Sequence, residues 1–327
     1  MTKWLAGVSA AAVWLAGAAH AEDVTLQLKW VTQAQFAGYY VALDKGFYEE
    51  EGLDVTIKPG GPDIAPPQVI AGGGADVIVE WMPAALAARE AGLPLVNIAQ
   101  PFKHSGMMLT CRNDSGVTET KDFPGHTLGV WFFGNEYPFL SWMAHLGIPV
   151  DGGPNGVTVL KQGFNVDPLL QNQAACISTM TYNEYWQVID AGFKPEDLTV
   201  FKYEDQGVAT LEDGLYVRED RLKDPAFVET MAKFVRASMK GWKWAEEHPD
   251  EAADIVLEND ETGAQTEKHQ KRMMGEVAKL TAGSNGALDP ADYERTVKTL
   301  LSAGSDPVIT KEPEGAWTHA VSDIALK

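Results

Sequence analysis

Val24-Thr-Leu-Gln-Leu-Lys-Trp30, Phe36-Ala-Gly-Tyr-Tyr-Val-Ala-Leu-Asp-Lys-Gly-Phe-Tyr-Glu-Glu-Glu51 and Leu53-Asp-Val-Thr-Ile-Lys58 follow one another, and their order decides the fold. The first run alternates apolar and polar side chains and predicts a strand. The second sets its apolar residues at helical spacing and stops at Gly52. The third is again a strand, closed by Gly60-Gly61-Pro62. Asp63 then offers a cap to a short helix near Ala65, with Pro66 and Pro67 tolerated in its first turn. A strand over 75–79, a helix over 82–91 and a strand over 95–99 continue the rhythm. Such a βαβα order predicts a mainly parallel, twisted sheet covered by helices on both faces.

The rhythm restarts downstream. Strands are expected over 128–131, 157–160, 175–178 and 198–202, with helices over 136–146, 167–173 and 183–191. Beyond Asp213 the pattern turns helical. Phe227, Val228, Met231, Phe234, Val235, Met239 and Trp242 make one apolar face of a long helix, and further helices are expected over 249–257, 266–281 and 290–301. The chain therefore reads as two doubly wound α/β lobes. Residues 22–106 with 213–327 form lobe 1 and its C-terminal helices, and residues 107–212 form lobe 2. Strand-like runs at 107–111 and 214–217 are expected to carry the chain across as a two-strand hinge, with a ligand in the cleft between lobes.

Composition excludes several functions. The 327 residues suit two domains, and 45% apolar with 22% charged residues is an ordinary globular balance. A formal charge of −20, from 46 acids against 26 bases, repels phosphate backbones and argues against a nucleic-acid partner. Met1-Thr2-Lys3, an apolar stretch to Ala19, and Ala19-His20-Ala21 before Glu22 predict a secretory leader over 1–21, cut after Ala21 and leaving a periplasmic protein. Two cysteines are too few for a disulfide scaffold or a four-Cys zinc site. Whether Cys111 and Cys176 pair or stay as buried thiols is left open by their spacing.

The run from Leu28 to Val55 resembles the opening of the periplasmic substrate-binding proteins of the NMT1/THI5-like group, relatives of the nitrate-, sulfonate- and thiamine-precursor-binding proteins of ABC importers. Ala71-Gly-Gly-Gly-Ala-Asp76, Asp114-Ser-Gly-Val117, Phe164-Asn-Val166 and Tyr182-Asn-Glu184 extend the similarity, which covers roughly residues 24 to 260. The resemblance implies the type II periplasmic-binding-protein fold, a small-molecule ligand and an inner-membrane ABC permease as partner. A monomer without cofactor or metal is expected.

Ligands of open α/β sheets sit beyond the carboxyl ends of the strands. The residues there are Trp30, Gln33, Gln35 and Phe36, then Gly60 and Gly61, then Glu80, Trp81 and Met82. The second unit adds Phe133, Asn135, Glu136 and Tyr137, then Thr181, Tyr182, Asn183 and Glu184. From these, Trp30, Gln35, Phe36, Gly61, Glu80, Trp81, Met82, Phe133, Asn135, Glu136, Tyr182, Asn183 and Glu184 are the candidate ligand-binding residues. Aromatic faces and carboxylates dominate, and none of the tips reads as Lys or Arg. Aromatic faces suit a flat ring, and a carboxylate suits an amino group or ring cation. A flat nitrogen heterocycle such as a thiamine-precursor aminopyrimidine is expected. The alternatives are a flavin, another cationic amine, or a nitrate- or sulfonate-type solute.

An enzyme is the competing class. The resemblance also reaches pyrimidine synthases of the THI5 group, in which a Lys, with a His four residues on, follows the third strand. Glu80 and Ala84 occupy those positions here. HExxH, GxSxG, a phosphate loop and CxxC are absent. The sequence reads as a non-enzyme with no catalytic residues.

Overall fold

The computed structural model describes residues 21–301 and 307–327. The expected leader, apart from Ala21, lies outside the described residues. Among these residues no helix is long and apolar enough to cross a membrane.

Ten strands form two five-stranded sheets. They are β1 (Glu22–Gln27), β2 (Leu53–Lys58), β3 (Val77–Glu80), β4 (Leu95–Ala99), β5 (Met107–Arg112), β6 (Thr127–Val130), β7 (Thr158–Lys161), β8 (Cys176–Met180), β9 (Leu198–Lys202) and β10 (Gly214–Arg218). The first sheet has the order β2-β1-β3-β10-β4 and the second β7-β6-β8-β5-β9. Each is parallel except for one strand, β10 in the first and β5 in the second. Two lobes with helices packed on their sheets are the architecture expected from the rhythm.

The crossings differ in detail from the expected paired strands. β5 and β10 do not pair with one another, because each is absorbed into the sheet of the lobe it enters. Irregular segments at 100–106 and 203–213 do the crossing instead. They are tied together by Glu212, whose buried carboxylate accepts from Ser105 Oγ and, at 2.9 Å, from Gly106 N. Gln100 Nε2 donates to the Glu212 carbonyl.

Two local details position the site. β1 ends at Gln27, before the alternating pattern does, so residues 28–36 form a buried loop leading into the helix Ala37–Asp44. That helix breaks at Gly46, which takes φ +72°, and the long helix Pro225–Glu247 crosses it closely. A Cβ on Gly38 would stand 2.2 Å from the Trp242 ring, and one on Gly241 would stand 2.0 Å from the Gly38 carbonyl. Only glycine at both positions lets the two backbones approach. Cys111 and Cys176 lie opposite each other in the β5–β8 ladder and form a disulfide.

Candidate functional site

Beyond the carboxyl ends of β1, β3, β6 and β8 the lobes meet over a pocket of about 310 Å³, solvent at its mouth included. Lobe 1 lines it with Lys29, Trp30, Gln33, Gln35 and Trp81. Lobe 2 adds Trp131, Asn135, Met180, Tyr182, Asn183 and Glu184. Three tryptophans therefore wall one space from both sides. Trp81 and Trp131 each follow directly on a parallel strand, where side chains face the switch-point crevice. Trp30 meets Trp131 across the cleft, edge to face, with ring centroids 6.1 Å apart.

The floor is charged but paired. Lys29 Nζ forms a buried ion pair with Glu80 Oε1 and lies 4.8 Å from the centre of the Trp81 ring. The Trp81 backbone N–H donates to the same Glu80 oxygen at 2.8 Å. Burial pushes the Glu80 carboxyl upward, and Lys29 pulls it back. Asp213, on the second crossing, accepts from Gln35 Nε2 at 2.6 Å and from Trp81 Nε1 at 3.0 Å. Burial raises its pKa to about 6, against the pull of Gln35, Lys29 and Trp81.

On the opposite wall Glu184 accepts from the Met180 N–H at 3.0 Å and from Asn183 Nδ2 at 2.8 Å, and burial lifts it to about 7. Asn183 joins the lobes. Its Nδ2 reaches Gln33 Oε1 at 3.3 Å, and its Oδ1 accepts from Gln187 at 2.9 Å and pairs with His269 Nε2 at 2.8 Å.

Of the residues singled out from the sequence, Trp30, Gln35, Trp81, Asn135, Tyr182, Asn183 and Glu184 line this pocket, as does Gln33. The others stand elsewhere. Glu80 has no exposed surface and sits behind Lys29. Phe36 is fully buried in the main hydrophobic core. Met82 belongs to a second core cluster, where its sulfur accepts from the Tyr216 hydroxyl. Gly61 is not part of the pocket wall. Phe133 and Glu136 lie in an alanine-rich groove at the lobe seam. There Glu136 caps the Gly134 N–H at 2.7 Å, and Lys161 stands over Phe133. Of the three candidate glutamates, Glu80, Glu136 and Glu184, only Glu184 lines the pocket, which corrects the placing of Glu80 and Glu136 there.

The expected lack of a cation is corrected too. The alternation over Val24–Trp30 reads Lys29 as part of a strand rather than of a loop tip. Because β1 stops at Gln27, alternation no longer governs Lys29, and its amine turns inward. Trp131 and Met180 were missed as well. Trp131 carried the signal that singled out Trp81, a tryptophan directly after an apolar strand, whereas nothing in the sequence marks Met180. Among the described residues no group of His, Cys, Asp and Glu could hold a metal ion.

The formylaminopyrimidine-binding protein of Halalkalibacterium halodurans is 26% identical over 290 residues, covering 85% of this chain and 84% of that protein. The 4-amino-5-hydroxymethyl-2-methylpyrimidine phosphate synthase of Legionella pneumophila is 27% identical over 255 residues, covering 72% of this chain and 73% of that protein. Among solved structures, a putative periplasmic sulfonate-binding protein of Methylobacillus flagellatus superposes with a TM-score of 0.62 at 15% identity, covering 93% of this chain and 94% of that one. That likeness shows the fold. The NMT1/THI5-like family model matches residues 33–252, about two thirds of the sequence, and the chain belongs to that family.

Proposed function

We propose that this protein is the solute-binding component of an ABC importer and that it closes its two lobes on a flat nitrogen heterocycle of the aminopyrimidine class. The observation that carries this reading is the pocket itself. Three tryptophans from both lobes surround a space edged by the amides of Gln33, Gln35, Asn135 and Asn183, with one acceptor carboxylate, Glu184. Indole faces stack on a heteroaromatic ring, and amides with a carboxylate match ring nitrogens and an exocyclic amino group. The one cation in the wall, Lys29, is already held by Glu80, which leaves an oxyanion no unopposed positive charge. The relative named for binding a formylaminopyrimidine supports the same ligand class. Closure then shifts an open–closed equilibrium, and the closed form is what a permease recognises.

We place the protein outside the cytoplasm, as a monomer. The leader-like start supports export, and the Cys111–Cys176 disulfide suits an oxidising compartment. Mass spectrometry of small molecules released from protein purified without denaturation tests the assignment. An aminopyrimidine is expected, and a sulfonate or nitrate overturns it.

A second reading is favoured by one observation, the pocket amine of Lys29 together with the synthase among the relatives. A Schiff base with pyridoxal phosphate needs a free amine, and this one is engaged in a buried ion pair. Incubation with pyridoxal phosphate is therefore expected to give no imine absorbance. A band lost on Lys29→Met would establish the enzyme reading instead.

A further inference from the structure

Asn183, Gln33 and Gln35 form a hydrogen-bonded row across the cleft, and their three amides point the same way. Asn183 Nδ2 donates to Gln33 Oε1 at 3.3 Å, and Gln33 Nε2 donates to Gln35 Oε1 at 2.7 Å. Gln35 Nε2 then donates to Asp213 Oδ2 at 2.6 Å. All four side chains are buried. The row starts on lobe 2, runs through the pocket wall of lobe 1 and ends on the second crossing.

An amide turned end for end keeps its shape, so its direction is set by its partners. Asp213 supplies the fixed end. Burial lifts its carboxyl to about 6, which leaves it ionised at pH 7 with no proton to give. Gln35 must therefore turn its NH2 toward Asp213 and its oxygen toward Gln33, and Gln33 in turn shows its oxygen to Asn183. Asn183 Nδ2 also donates to Glu184 Oε1 at 2.8 Å, in the same sense.

Asp213 does not itself line the pocket. Its φ of +42° is left-handed, a costly conformation for a side chain with a Cβ. Both neighbours are pinned. Glu212 holds Ser105 and Gly106 of the first crossing, and a Cβ on Gly214 would stand 2.5 Å from the side chains of Asn97 and Gln100. The second Asp213 oxygen takes the Trp81 indole N–H at 3.0 Å.

We propose that Asp213 is a positioning residue that sets the donor–acceptor pattern of the pocket, fixing through Gln35 which edge of each glutamine amide a bound solute meets. The row uses one N–H of each glutamine and leaves the other for the solute. A site whose amides cannot turn discriminates between rings of one shape that carry an amino group or a carbonyl at the same place. This assignment rests on the ring-binding reading and adds to it what excludes the wrong ring.

Isothermal titration of the full protein tests it with an aminopyrimidine and the pyrimidinone that has a carbonyl in place of the amino group. The unaltered protein is expected to prefer the amino ring by about ten-fold or more. Asp213→Asn keeps an oxygen for the Trp81 indole, suits the left-handed backbone and presents an NH2 to Gln35, which frees the row to turn. The preference should then narrow by about three- to ten-fold, the increment of a neutral hydrogen bond. Asp213→Gly also suits the backbone. It should narrow the preference equally and, with the indole unanchored, weaken both rings. Gln35→Leu with Asp213→Asn should narrow it no further than Gln35→Leu alone, since Asp213 acts through Gln35. An unchanged preference in Asp213→Asn, or equal losses for both rings, overturns the positioning role and leaves the ring reading standing. Failure of both rings to bind the unaltered protein overturns the ring reading and the positioning role together.

Discussion

Lys29 stands level with Glu80 because β1 and β3 run parallel in a register that pairs Leu26 with Val77 and Gln27 with Ile78. Carried two residues past the strand, the same offset brings the amine onto the carboxylate in a dry site. Removing one partner of such a pair leaves an uncompensated buried charge, whereas replacing both is close to neutral. Glu80→Ala is expected to lower unfolding stability by about 3 kcal/mol or more. Lys29→Met combined with Glu80→Leu should recover most of it. Urea unfolding at neutral pH measures both, and a loss within the range of a surface substitution, about 0.5 kcal/mol, would show that the pair is not buried as described.

The three pocket tryptophans should report the ligand. Ring binding is expected to change their fluorescence. Trp81→Ala or Trp131→Ala should weaken binding by at least about two- to ten-fold through the lost stacking alone. Trp242→Phe, in the helix crossing and outside the pocket lining, should leave affinity unchanged. Unaltered affinity in both pocket variants, with the fold retained, removes the stacking model.

Periodicity made the strands and the two-lobe order legible, because a sheet buried on both faces leaves continuous apolar runs such as Val77-Ile-Val79. The rule that ligands sit past the strand ends located Trp30, Trp81 and the Tyr182–Glu184 turn. It could not say which way each side chain points there. Phe36 turned into the core and Lys29 turned into the cleft, both because the loop 28–36 is buried and no longer alternates. Glu136 was lost to its own loop, since a carboxylate beside a backbone N–H is satisfied without any ligand. Asp213 was invisible because its role arises from Gln35 and Trp81, both more than 130 residues away in sequence.

Stability should fall as pH rises through neutrality. Burial raises Glu212 to about 8, with Asp213 adding to the effect, and raises Glu184 to about 7 and Asp213 to about 6. The folded state therefore binds more protons than the unfolded chain between the ordinary carboxyl range and about pH 8. The stability these groups contribute is full below their unfolded values and is lost as pH climbs through the folded ones. Surface carboxylates with lowered values, such as Asp190, act below this window. Thermal unfolding is expected at a higher temperature near about pH 5.5 than near about pH 8.5. Glu212→Gln should flatten the difference, and a slope of opposite sign would contradict the burial of these groups.

Exposed ion pairs join the two lobes at Lys161–Asp63 and at Asp190 with Lys268 and Arg272. Such pairs contribute about 1 kcal/mol at most. Asp190→Asn should therefore weaken ligand affinity by less than about five-fold, and by less still at high salt, where the pair is screened. A larger, salt-independent loss in titrations would assign Asp190 a direct contact with the ligand.

Side-by-side calorimetric titration of the unaltered protein with an aminopyrimidine and with an aliphatic sulfonate or nitrate tests the central claim most directly. We expect the aminopyrimidine to bind at a single saturable site and the oxyanions to bind weakly or not at all, because Lys29 is already paired. Saturable binding of an oxyanion with none of the aminopyrimidine would contradict the account, and would mean that Lys29 releases Glu80 to hold the ligand.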